Sequence, residues 1–431
     1  MNFKKLSLER QKRFAATNKK LGLPAEQGTH TPVDHPKNKT IIYSSDPEES
    51  DVPPKLVTVN SIADLRKMLG FDDASQMIAK KSATVLTANL KALESIHKIK
   101  TANLSDGKPL KDQLSTQQKA ELKTASVQLV TTGAPELEKY ESLLNEVQFP
   151  MKMAVFSDPA PKVIDGTAVI KSGKDGLPVT WNYSEIIMGP EGKIRQETDF
   201  IMVTDSLESS NGATGDLPIN NTPPDYSEHA PEGGTSGPPG QAGGGTAGVA
   251  KANNSKKGCP IECYTPPGDG KPGTQGADGG DGSPGQKGGA MSSLTITINE
   301  KLTGKIIIQA GGGNGQVGGK GGKGADGGEG GPPGSCPTQC TAANKGPQGP
   351  GGQGGMGGNG GDGGDVGVII IKLPFDMAQP PVDLTPVGGK GGNNGSPGEG
   401  GLPGGKPGDT NPHTPNPSPA PQVIFQRLPP N

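Results

Sequence analysis

The sequence predicts a multi-domain protein: an N-terminal α+β domain followed by a glycine-rich bundle of antiparallel polyglycine-II helices with a few β-strands at its base. Three observations predict it. Glycine recurs at every third residue in long frames, Gly270 to Gly288, Gly312 to Gly330 and Gly346 to Gly367, with shorter pieces at Gly234 to Gly243 and Gly395 to Gly404. Helical and strand-like periodicities dominate residues 39–206 and return afterwards only in short strand-like runs. Only 30% of the residues are hydrophobic and 3% aromatic, and the 70 glycines and 43 prolines concentrate in the second half, so no large conventional core is available to it.

In chain order, residues 1–38 form a basic, flexible arm. Lys4, Lys5, Arg10, Lys12, Arg13, Lys19 and Lys20 face one acid, Glu9. A solvated, partly helical tail is the favoured reading, with contact to an acidic partner or an anionic membrane as its rival. Residues 39–206 read as the α+β domain. Strands are expected at Lys39–Tyr43 and Lys55–Val59, and Ser61 caps a short helix that ends at Gly70. Longer helices are expected over Asp73–Lys100, Ser115–Val130 and Pro135–Val147, so helices span 61–147. Strands then fill 151–204, with Gly173–Gly176 and Gly189–Gly192 as hairpin turns. Trp181 and Tyr183 belong to this sheet and read as a buried core pair before an exposed sugar platform. Residues 207–233, rich in Ser, Asn, Pro and Gly, are the linker. The glycine-rich domain fills 234–431, with base strands at 293–309, 366–373 and 422–428.

A period of three fits neither an α-helix nor a β-strand. It fits a left-handed extended helix with no internal hydrogen bonds, whose donors must reach neighbouring segments. The dominant triplet is Gly-Gly-x, as in Gly318-Gly319-Lys320, which leaves two of three faces free of side chains. Collagen instead carries proline between its glycines, and long inserts interrupt these frames, so an intrachain bundle is favoured over a collagen-like trimer. A disordered Gly/Pro-rich linker is the compositional alternative.

The frames from Gly234 to Gly404 resemble the polyglycine-II sandwiches of phage receptor-binding tip adhesins and of springtail antifreeze proteins. A resemblance to bacterial collagen-like surface proteins is weaker, because proline is sparse in the central frames. The likeness covers about 170 residues and rests on the triplet repeat. It implies a receptor-binding or ice-binding role and assigns no catalytic residue.

Candidate chemistry is thin. The histidines His30, His35, His97, His229 and His413 are scattered without metal-ligand spacing. The Gly-x-Gly-x-x-Gly strings are by-products of the triplet, with no strand-turn-helix context for a phosphate. Asp278, Asp281, Asp326, Glu329, Asp362 and Asp365 read as solvated charges in preference to calcium ligands. No catalytic residue, cofactor or metal is therefore assigned. Cysteine gives the strongest local signal, in two matched pairs, Cys259 with Cys263 and Cys336 with Cys340. Disulfides are favoured, with tetrahedral zinc and free thiols as alternatives.

A net charge of −2 gives no electrostatic case for nucleic acid, and no apolar run approaches the ~20 residues of a membrane span. The first 23 residues lack the apolar centre of a signal peptide, so an extracellular, cell-surface or virion location requires another route. Following the chain, both cysteine pairs are expected at the end of the bundle far from the base strands. Tyr264, Thr265, Thr338, Gln339 and Asn344 are then the candidate binding residues. The expected function is a non-enzymatic structural or adhesive protein. Its N-terminal domain anchors, with its helices open to an assembly partner, and its distal loops meet a receptor, glycan or matrix. Ice binding and a collagen-like trimer are the alternatives.

Overall fold

A computed structural model describes residues 3–30, 36–71, 110–114, 135–173, 178–221, 223, 249–251, 262–335, 341–387, 389–421 and 423–428, with scattered helical residues between 93 and 130. Among the described residues the continuous helices are α1 (Leu8–Lys20), α2 (Ile62–Met68), α3 (Leu110–Gln113), α4 (Pro135–Glu138) and α5 (Glu141–Gln148). Ser7 caps α1 by accepting the Arg10 N–H, and Ser61 caps α2 by accepting that of Asp64. Gly70, with φ +67°, closes α2 in the left-handed conformation that a side chain disfavours. The helices expected at Asp73–Lys100 and Ser115–Val130 lie largely outside the described residues.

Sixteen strands carry the described fold. They are β1 (Thr40–Ser44), β2 (Lys55–Val59), β3 (Met151–Asp158), β4 (Lys162–Ile164), β5 (Thr167–Lys171), β6 (Val179–Met188), β7 (Lys193–Gln196) and β8 (Phe200–Ser209). The series continues with β9 (Asp216–Asn221), β10 (Val249–Lys251), β11 (Glu262–Thr265), β12 (Leu294–Thr303), β13 (Lys305–Ala310), β14 (Ile369–Leu373), β15 (Val382–Pro386) and β16 (Val423–Arg427). One sheet has six strands in the order β1-β5-β7-β9-β13-β15, every pair parallel. The other has eight: β16-β14-β12-β8-β6-β3-β2, with β4 also on β6. Only its β2–β3 pair is antiparallel.

From β5 onward the main strands alternate between the sheets, so each lands parallel to the strand two before it. This winding stacks like residues into ladders. Trp181, Met202, Ile296, Ile371 and Phe425 form one row across the larger sheet. Ile41, Ala168, Ile194, Ile219, Ile308 and Leu384 form a row across the smaller one. These rows meet between the layers as one apolar core. A second apolar cluster joins the other face of the larger sheet, through Met153, Val155, Ile201 and Ile370, to α2, α5 and the scattered helical residues.

The fold class expected from sequence is therefore corrected. The protein is mostly mixed α/β, with two large parallel-rich sheets and few helices, and not an α+β domain followed by a separate glycine-rich bundle. Strands from both halves interleave in the same sheets: β12 pairs β8, and β13 pairs β9. Of the expected linker 207–233, residues 207–221 hold the end of β8, a turn with a short 3-10 helix at Gly212–Thr214, and all of β9, whose Leu217 and Ile219 alternate into the core. The expected hairpins are also absent among the described residues. Gly189–Gly192 carries the chain from one sheet to the other, and a Cβ on Gly192 would lie 2.0 Å from the Ile164 carbonyl. Of the other turn, Lys174–Gly176 lie outside the described residues.

The N-terminal arm is folded and docked rather than free. Phe3, Leu6 and Phe14 make their own small cluster, while Leu21 and Leu23 join the helical side of the larger sheet.

Candidate binding end of the glycine rods

The glycine frames sit in three of the loops that join one coil of strands to the next. The β7–β8 corner takes only residues 197–199, whereas the same corner after β9, β13 and β15 runs over 222–293, 311–368 and 387–422. Among the described residues of these loops are four rods with neither helix nor strand, at 268–291, 311–334, 344–367 and 389–401. A proline-rich segment, 411–421, leads back to β16.

Every third residue of each rod hydrogen-bonds a neighbour. Gly270, Gly273, Gly276 and so on to Gly288 donate to Asn344, Pro347, Pro350 and so on to Asp362, a parallel pairing that passes through Leu294 N–H to Val368 into β12 and β14. The second rod runs antiparallel to the first, Gly319 donating to Ser283 and Gly322 to Gly280, and to the third, where Gly355 donates to Gly322. It runs parallel to the fourth, Gly318 donating to Asn393. The returning rods thus extend the larger sheet and the outgoing rods extend the smaller one. Two layers of strand become two layers of rod.

Glycine is required where the layers touch: a Cβ on Gly318 would sit 2.1 Å from the Gly358 carbonyl, and one on Gly282 2.0 Å from that of Gly319. Only the third position of the second rod faces water, giving a row of Asn314, Val317, Lys320, Lys323, Asp326 and Glu329. Several acids expected as solvated charges do more than that. Asp278 accepts the Gln353 N–H at 2.7 Å, Asp281 that of Met356 at 2.8 Å, Asp326 that of Leu402 at 2.9 Å and Asp362 that of Asn416 at 2.7 Å. Each carboxylate satisfies a backbone donor on a neighbouring segment. Asp365 binds Lys287 at 2.7 Å. Sequence periodicity places these residues on the exposed row but carries no sign of their lateral reach.

The far end gathers the start of the first rod, the end of the second and the start of the third. Gly334 donates to Gly268, Gly331 to Lys271 and Gly270 to Asn344. Asn344 is exposed, and its N–H is held by Asp269 at 2.7 Å. Cys263, Tyr264 and Thr265 lie in β11, which pairs antiparallel with β10 immediately before the first rod. The fourth rod turns back earlier, at Leu402–Gly405, which packs beside Asp326 and Gly351. Cys259, Cys336, Cys340, Thr338 and Gln339 lie outside the described residues, as does the glycine piece Gly234–Gly243.

The buried ionisable groups lie elsewhere. His30 is half-buried, its Nε2 3.1 Å from the Tyr183 hydroxyl and its Nδ1 3.0 Å from that of Thr29. Burial, and then the charge of Lys162, lower its pKa from 6.5 to about 4. Burial drives the phenols of Tyr43 and Tyr183 up, and raises the carboxyl of Asp158. Trp181 and Tyr183 are both buried, so neither offers a sugar platform. A cavity of about 30 Å³ lies between α2 and the larger sheet, beside Leu65, Leu69, Gln148 and Asp199. That holds about one water molecule. Among the described residues no three His, Cys, Asp or Glu side chains converge as metal ligands, and no helix is long and apolar enough to cross a membrane. No protein family, curated protein or solved structure matches the chain.

Proposed function

We propose that the protein is a non-enzymatic structural adhesin of a cell surface or virion. In this reading the two-sheet body anchors it, and the rods present their far loops to a receptor, glycan or matrix. The single observation that carries the reading is the continuity of two rods with the larger sheet. The first and third rods are bonded to each other at every third residue and run into β12 and β14 without a break in pairing. Segments tied at that density move as one body with the core. At the ~3.1 Å per residue of an extended three-residue repeat, the 18 steps from Gly312 to Gly330 span roughly 56 Å. A stiff arm of that length has no use in shaping a pocket near the core. It suits holding a small surface away from the body that anchors it.

The test is binding of the purified protein to whole cells and to glycan and matrix arrays, beside variants with residues 335–345 replaced by a short glycine-serine link. Binding by the native protein that falls at least tenfold in the variant, with an unchanged melting temperature, is the expected outcome. Binding that survives both this replacement and a second one, of residues 252–266, moves the contact surface away from the far end and ends the proposal. A thermal-hysteresis measurement on the same samples separates it from ice binding.

A further inference from the structure

Helix α1 divides its basic residues between two faces. Arg10 meets Glu300 at 2.6 Å, and Arg13 meets Asp205 at 2.8 Å and Glu300 as well. The buried Asn18 accepts from the Asn182 amide at 2.9 Å and the Ser157 hydroxyl at 2.7 Å. Those partners stand on β12, β8, β6 and β3, the order of the strands in the larger sheet, so the helix lies across them. Phe14, and Leu21 just past the helix, are buried on the same side. The opposite face carries Lys12 and Lys19, about 10 Å apart along the helix axis, with Lys4 and Lys5 on the turn before it. All four lysines are exposed, and among the described residues none of them forms an ion pair. Leu8 lies among them, 66% exposed, and Glu9 is the single acid of the helix.

We infer that this lysine face of α1 docks on an anionic lipid bilayer. The charges of Arg10 and Arg13 are met by carboxylates beneath the helix, whereas those of the outward lysines are left for a partner. The residue types follow that division. Planar guanidiniums grip the fixed carboxylates, and the outward positions hold lysine, a flexible point charge that suits headgroups without fixed positions. Each lysine brought near anionic headgroups adds to the attraction. Leu8 decides among polyanions. A bilayer takes an apolar side chain below its phosphates, as interfacial helices require, and a nucleic-acid backbone offers it nothing. The buried Phe14, Asn18, Leu21 and Leu23 fix the helix on the sheet, so the face is presented already formed. It also stands clear of the rods. Glu300 is six residues along β12 from Leu294, about 20 Å from the point where the first rod joins the sheet. The inference goes beyond the proposed contact at the far loops and does not depend on it.

The experiment sediments the full-length protein with vesicles of phosphatidylcholine, alone or with roughly a third phosphatidylserine, at low salt. Binding to the serine-containing vesicles is expected to be at least about tenfold tighter than to phosphatidylcholine alone, and to weaken as salt rises. K12E with K19E should lower it at least about tenfold at an unchanged melting temperature. K12Q with K19Q, which makes a smaller demand on the fold, should lower it about threefold or more. L8A should weaken vesicle binding several-fold and leave any binding to short duplex DNA as it was. Replacing residues 335–345 should leave vesicle binding intact, so that failure here is distinct from failure at the far loops. Equal binding to the two kinds of vesicle, or none to either, overturns the inference. Full binding by a folded lysine variant overturns it too, as does loss of vesicle binding when residues 335–345 are replaced. Duplex DNA bound more tightly than the vesicles, with L8A without effect on either, assigns the face to nucleic acid and ends the lipid assignment.

Discussion

Replacing Gly318 with alanine, set against replacing Lys320 with alanine two positions on, tests the central packing rule within a single triplet. A Cβ on Gly318 would stand 2.1 Å from the Gly358 oxygen and 2.6 Å from its carbon, against an ordinary contact of 3.4 Å or more. The second and third rods must then separate by more than an ångström. Two hydrogen bonds bear that shift, Gly318 N–H to Asn393 at 2.9 Å and Gly358 N–H to Gly319 at 2.8 Å. A buried backbone group left unpaired costs about 1–3 kcal/mol, so the substitution is expected to cost about 2–6 kcal/mol. Lys320 lies on the exposed row, where substitutions usually stay within about 0.5 kcal/mol. Urea unfolding followed by circular dichroism measures both. A G318A protein as stable as K320A would refute close packing of the rods, whatever the fate of the sheets.

Other expectations follow from single contacts. Lys372, buried on β14, donates to the Leu69 and Gly70 carbonyls at 2.7 and 3.0 Å and lies 3.4 Å from the Phe71 ring centre. K372M leaves two carbonyls at the end of α2 without that donor and is expected to lower stability by about 2 kcal/mol, read as a shifted urea midpoint. For His30 the folded pKa lies below the unfolded value, so the unfolded chain takes up the proton first as pH falls. Its contribution is complete above about pH 6.5 and is lost progressively down to about pH 4, by about 3 kcal/mol. H30Q should flatten that part of the stability-against-pH curve, and an unaltered slope rejects the assignment. The pair D278A and D281A should together cost about 1 kcal/mol in thermal unfolding, while D278N with D281N, which keeps both acceptors, stays close to the native protein. Equal losses in the two double variants would mean that charge, and not the acceptor, matters there.

The period of three was legible in the sequence because its cause is steric and local: a glycine stands wherever one backbone lies against another. The alternating residues Leu294, Ile296 and Ile298 likewise announce a strand. What the sequence hides is which strands are neighbours. Alternation in Leu217–Ile219 or Ile306–Ile308 is equally consistent with a hairpin and with a wound pair of sheets, since both bury one face. The choice lies in the corners, and a corner such as Gly189–Gly192 carries the same residues a hairpin would. The docking of α1 was hidden for a related reason. Arg10 and Arg13 read as a solvated basic arm until Asp205 and Glu300, nearly 200 and 300 residues away, are placed beneath them. At the far end, Asn344 and the strand carrying Tyr264 and Thr265 follow from chain direction alone, because rods must alternate outward and back.

The proline-rich return, residues 411–421, has a consequence for how such a lattice ends. A layer of parallel rods is open at its margin in the way a crystal face is: any chain with the same repeat can add to it. Here the margin is laid down by Pro412, Pro415, Pro417, Pro419 and Pro421, none of which has an N–H to offer. Three of the remaining donors are turned back on the molecule, His413 to Asn411, Asn416 to Asp362 and Ser418 to Gly389. The segment therefore completes the last layer on its inner side and offers few sites for growth on its outer side. A repeat whose open margin could pair with a further rod is terminated by composition on that flank.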